Sequence, residues 1–135
     1  MEIIYGPKGT GKTERIIYMA NETLKTAKGL VVFVTDTTRY SLELKREIRL
    51  LDTNEYGINS VDGLCGFIKG LVASNGDNEY VFIDGIARIS KAPLSELGEV
   101  FNAIAELEQK FGIKFVLTVS AAKEDLPDFV LKYVD

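Results

Sequence analysis

The chain of 135 residues has no histidine and one cysteine, Cys65. Without histidine there is no Ser-His-Asp triad, no imidazole base and no imidazole metal ligand. One cysteine excludes an internal disulfide and any zinc site built on several thiolates. Cys65 reads as a small buried filler, and such sparse cysteine usage suits a reducing, cytosolic setting. Chemistry is left to carboxylates, lysines, hydroxyls and a bound metal. No apolar run is long enough to span a membrane. Residues 1–5 lead straight into a glycine-rich turn, so no signal peptide is expected. A basic excess is missing too: the net charge is −4 and the pI about 5.0. That balance gives no support to a nucleic-acid or anionic-membrane surface. There is no repeat, low-complexity tract or linker, and the length suits one domain over residues 1–135.

What is present is an alternation of short apolar runs with helical patterns. EIIY (2–5), LVVFVT (30–35), YVFID (80–84) and KFVLTVS (114–120) read as strands, the last three buried on both faces. DFVLKYV (128–134) reads as a last strand at an edge, and YGINSV (56–61) as a short extra one. Ile16, Ile17, Met19, Ala20, Leu24 and Ala27 mark a first helix, with Gly29 as its C-cap. A second helix is expected from about Ser41 with Leu42, Ile48 and Leu51. A third is capped by Asp62 and carries Leu64, Phe67, Ile68, Leu71 and Val72. A fourth starts at Pro93, runs through Leu97, Val100, Phe101, Ile104 and Leu107, and ends before Gly112. Gly63, Gly66 and Gly70 in the third helix cost about 1 kcal/mol each against alanine. Close packing would offset that, and a flexible or partner-facing role would make use of it. Strands alternating with helices predict an α/β fold, a mostly parallel sheet covered on both faces. Ligands then bind beyond the carboxyl ends of the strands. The glycine loop, Thr35-Asp36-Thr37, Asp84-Gly85 and Ser120 all fall there.

GPKGTGKT (6–13) fits G-x-x-x-x-G-K-[ST] at every fixed position, between a strand and a helical pattern. Gly6, Gly9 and Gly11 let backbone N–H groups ring a phosphate, and the following helix points its positive end there. Lys12 reaches the terminal phosphates and the Thr13 hydroxyl suits Mg²⁺. Lys8 adds a second cation or stays solvated. The stretch resembles the Walker A motif of the P-loop NTPase superfamily, and YVFIDG (80–85) resembles its Walker B motif. The resemblance is closest to the RecA and KaiC-like branch. It implies a three-layer sandwich with a five-stranded sheet in the order 5-1-4-3-2, the strands being 2–5, 30–35, 80–84, 114–120 and 128–134. It implies ATP and Mg²⁺ as ligands. Gly6, Pro7, Lys8, Gly9, Thr10, Gly11, Lys12, Thr13 and Glu14 would hold the nucleotide, with Ser120 sensing the γ-phosphate. Thr13 and Asp84 would serve the metal, and Lys12 and Asp36 would act in catalysis.

The pattern also departs from that branch. Gly85 follows the strand-end acid where many relatives place glutamate. Asp36 stands at the end of the second strand, where it either orients the attacking water or caps the next helix. The resemblance calls for an arginine finger. Arg39, Arg46, Arg49 and Arg88 are present without a diagnostic setting, so the expected source is a second copy or another protein, and the plainer reading of all four is a solvated surface. Three functions follow: a slow Mg²⁺-dependent ATPase, a non-catalytic nucleotide-responsive module, or a small-molecule kinase. The kinase reading draws on TDTTRYS (35–41) and FIDG (82–85), which resemble stretches of thymidine kinases. Those enzymes also carry a cysteine-rich zinc lobe, which one cysteine cannot build.

Overall fold

The computed structural model describes residues 1–134, and its sheet is parallel throughout. Strands β1 (Glu2–Gly6), β2 (Leu30–Thr35), β3 (Arg49–Asp52), β4 (Asn78–Ile83) and β5 (Lys114–Ser120) lie in the order β1-β5-β4-β2-β3. The principal helices are α1 (Lys12–Thr23), α2 (Val61–Ser74) and α4 (Gly98–Phe111). Two short ones, α3 (Ile86–Ser90) and α5 (Asp128–Leu131), complete the chain. No helix is long and apolar enough to cross a membrane among the described residues.

The continuous apolar runs become strands because both sheet faces are covered. Successive residues of β2 divide between the two faces. Val31 and Phe33 pack with Ile16, Ile17 and Ala20 of α1, while Val32 and Val34 pack with α2 and α4. The same alternation sends Phe82 and Val116 toward α1, and Val81, Ile83, Phe115 and Leu117 to the opposite side. The α2 stripe of Leu64, Ile68, Leu71 and Val72 and the α4 stripe of Val100, Phe101, Ile104 and Leu107 bury as their spacing requires. Gly112, in the left-handed region, closes α4 as expected.

The expected strand order fails at both edges. Segments 2–6, 114–120, 78–83 and 30–35 are neighbours in that sequence, but 128–134 adds no strand. Pro127 stands at an N-cap with φ −62, and Asp128 occupies the first turn of α5. Val130 is thereby fully buried, and Phe129 meets Phe101 at 5.4 Å between ring centroids. The fifth strand is instead β3, paired to β2 from Val32 with Arg49 to Thr35 with Asp52. Its two leucines serve opposite faces, Leu51 with α2 and Leu50 with the α1 layer.

Five expectations for smaller elements are also corrected. No helix starts near Ser41: residues 37–48 run in turns, Leu42 is 97% exposed, and Leu44 and Ile48 supply the apolar contacts. The Asn21 side chain fixes this segment, donating to the Glu43 carbonyl and accepting from Lys45 N–H. Residues 56–61 form no strand, because a 3-10 turn over Thr53–Tyr56 ends at Gly57 and leads into α2. Ser60, not Asp62, caps α2, accepting from Gly63 N–H at 2.9 Å. Helix α1 stops at Thr23 with Leu24 as C-cap, before Gly29, and Pro93 caps a 3-10 turn ahead of α4.

Candidate functional site

The glycine loop, the end of β4 and the end of β5 meet in a cleft of 250 Å³ at the carboxyl edge of the sheet. Strand pairing brings them there. Gly6 of β1 lies beside Ser120 of β5, and Ile83 of β4 beside Leu117, which sets Asp84 against Thr118. Gly11 takes φ 83, a left-handed conformation that turns the loop into α1, and it brings no side chain to cap the helix. The first N–H groups of α1 have no intrahelical acceptor and face the loop. Glu14 lies in that first turn and lines the cleft with Lys8, Gly9, Thr13 and Ser120.

Lys12 is buried, 9% exposed, and its ammonium donates to the Pro7 carbonyl at 2.9 Å. The Thr10 hydroxyl donates to the same carbonyl at 2.6 Å. A buried cation held by one neutral acceptor is poorly compensated, and an anion in the cleft would complete it. Across the cleft the Thr13 hydroxyl donates to Asp84 Oδ2 at 3.1 Å, linking residues 71 apart in sequence. Asp84 itself is 2% exposed. Its Oδ1 accepts from the Thr118 hydroxyl at 2.7 Å, and that hydroxyl accepts in turn from Gly85 N–H at 2.9 Å. The carboxylate is thus fixed from both sides, with the Thr13 oxygen beside it.

No group of three or more carboxylate or thiolate ligands capable of holding a metal occurs among the described residues. A hydroxyl next to one oriented carboxylate is instead the donor set of a hard cation that keeps waters and takes phosphate oxygens as further ligands. The residues present therefore fit Mg²⁺ arriving with a phosphate substrate better than a resident metal.

Asp36 lies outside this cleft and is joined to it through Arg88. The Arg88 Nε and Nη2 donate to the two Asp36 oxygens at 2.8 and 2.9 Å, a side-on pair. The same Nη2 lies 3.8 Å from Asp84 Oδ2 and 3.5 Å from the Asp84 carbonyl. Burial raises the Asp36 pKa, but the Arg88 guanidinium outweighs it and holds the carboxyl below its ordinary value. Arg88 is shifted upward, with the Asp36 bond the largest cause. The helix-capping alternative for Asp36 falls away, because no helix follows and both oxygens face the guanidinium. Its backbone is anchored as well: Asn54 Nδ2 donates to the Asp36 carbonyl at 2.6 Å.

Sequence reasoning named Lys12, Thr13, Asp84 and Ser120, and the structure gathers all four around one cleft. It missed Thr118 and left Arg88 among four equivalent arginines. Thr118 stands two residues before Ser120, on the same strand face, and is the buried one of the two. For Arg88 the signal was its place four residues after Asp84, one helical turn beyond a glycine. Arg39, by contrast, bonds the Tyr40 hydroxyl, and Arg49 lies on β3. No family model matches the chain, and no curated protein matches it either.

Proposed function

We propose that the chain is a P-loop nucleotide-binding protein of the RecA-like type, taking ATP with Mg²⁺ and hydrolysing it slowly in a cytosolic setting. One observation carries the reading: a buried lysine, a left-handed glycine turn at a helix start and a hydroxyl–carboxylate pair all converge on one cleft. The loop N–H groups and Lys12 would receive the phosphates. Thr13 and Asp84 would hold the cation, whose charge neutralises terminal phosphate oxygens. Thr118 keeps Asp84 turned toward it. Slow turnover follows from Asp36, the candidate for orienting water, having both oxygens on Arg88.

A second reading, phosphoryl transfer to a small acceptor, is favoured by a neighbouring cleft of 260 Å³. It shares Lys8, Arg88, Thr118 and Ser120 with the first and has Ile86, Leu94 and Val119 as apolar walls. An acceptor there would abut the terminal phosphate.

Calorimetric titration with ATP and Mg²⁺, paired with phosphate release, tests both. Binding by the native protein and a loss of roughly a hundredfold in Lys12→Ala are expected, since a charge-assisted contact in a shielded cleft is removed. Free phosphate released without an added acceptor supports the ATPase, and ADP formed only with a nucleoside, whose hydroxyl keeps the phosphoryl group, supports transfer. Absence of binding by the native protein overturns the proposal.

A further inference from the structure

Asp36 and Arg88 make a contact that the nucleotide reading does not require. The pair joins the end of β2 to α3, the short helix that follows β4, and the two strands are direct neighbours. The guanidinium has a built seat. Gly85, at φ 88, lies directly beneath it, and a Cβ at that position would collide with the guanidinium atoms. Asp36 grips the Nε–Nη2 edge, and Asn54 grips the Asp36 backbone. A guanidinium offers five donors in a planar fork. Side-on pairing through one edge leaves the Nη1 edge for another acceptor, and Arg88 lines the phosphate cleft.

We propose that Arg88 supplies, from within the chain, the guanidinium that contacts a terminal phosphate, and that Asp36 is the positioning residue that aims it. This rests on the nucleotide reading and changes the part of Asp36 from activating water to orienting an arginine. It also removes the need for a partner to deliver that charge. The geometry supports positioning over release. The pair is bidentate, its carboxylate partner is four-fifths buried, and the missing Cβ at Gly85 leaves room for the guanidinium beside it.

The test compares affinities for a non-hydrolysable ATP analogue and for ADP, each with Mg²⁺, across variants. Arg88→Gln is expected to lower the preference for triphosphate about tenfold with ADP affinity unchanged, because a charge-assisted contact to the terminal group alone is lost. Asp36→Asn lowers the same preference roughly threefold, Asp36→Glu restores part of it, and the double variant is no worse than Arg88→Gln alone. Three results overturn the proposal. Tighter triphosphate binding by Asp36→Asn would mean that Asp36 competes with phosphate for Arg88. An unchanged preference with reduced phosphate release would return Asp36 to water activation. Additive losses in the double variant would separate the two residues. Lys12→Ala keeps this test distinct from that of the nucleotide reading. If it abolishes both nucleotides while the Asp36 and Arg88 variants change nothing, the phosphate cleft stands and the arginine assignment falls. If the native protein binds neither nucleotide, both fall.

Discussion

Residue 85 shows how one missing carbon shapes the site. Its φ of 88 strains any side chain other than glycine. It also lies under the Arg88 guanidinium, the movable end of a long side chain. Gly85→Ala should therefore cost about 1–2 kcal/mol, set mainly by the backbone, since the guanidinium can move aside at little expense. Urea unfolding measures this, and an unchanged midpoint would sink the argument. The same variant displaces the guanidinium from Asp36 without removing a charge, so its nucleotide preference should follow Asp36→Asn. Thr53 offers a contrasting case. It is fully buried, and its hydroxyl has no hydrogen-bond partner among the described residues. Thr53→Val keeps the shape and removes an unpaired polar atom, which predicts a rise in stability of about 1 kcal/mol by the same urea assay.

At the scale of elements, the closing segment separates two competing patterns. As a strand, DFVLKYV would place Phe129 and Leu131 on one face and Val130 on the other. As the helix α5, it buries Val130 completely and leaves Leu131 38% exposed. Val130→Ala should then cost about 2 kcal/mol and Leu131→Ala well under 1 kcal/mol. The reverse ranking in urea midpoints would restore the strand. This segment shows where legibility ends. The three runs that became inner strands, β2, β4 and β5, were readable because β-branched residues crowd on both sides of them, which a helix surface would not need. The carboxyl-end site was readable because glycine spacing, Lys12 and Thr13 are local in sequence. Short edge pieces were not, since Arg49–Asp52 holds only two leucines and its pairing comes from β2 rather than from itself. The second expected helix failed because Leu42, Ile48 and Leu51 are too sparse to specify a face, while Asn21 fixes the turns from another element. Thr118 and the Asp36–Arg88 pair were hidden for one reason. Each depends on the register or adjacency of two strands, and neither is written in either strand alone.

The whole molecule responds to acid through a few carboxylates rather than through its net charge. Asp36 is held below its ordinary value of 3.8 despite burial, because of Arg88. Glu79 is held below 4.5 chiefly by the Gly29 and Lys28 N–H groups, both of which donate to its Oε1. Glu22 is lowered first by its bond from Lys25. For each, the folded state binds its proton more weakly than the unfolded chain does. The stability it contributes is therefore present above the unfolded value and lost as pH falls through the folded one. With no histidine in the chain, no imidazole titrates between pH 5 and 8. The contribution of these carboxylates should decline as pH falls below about 4.5. Asp36→Asn isolates one contribution. It should unfold at lower urea than the native protein at pH 7, where the ion pair is intact, and the gap should narrow only as pH falls below 3.8 and the native carboxyl takes up its proton. The Glu22–Lys25 surface pair is screened by salt and Asp36 less so. Raising ionic strength should therefore flatten part of the acid limb in both proteins while leaving the gap between them at pH 7. Parallel curves for the two proteins across the whole range would mean that Asp36 and Arg88 are not a thermodynamic pair, and the positioning of the guanidinium would lose its basis.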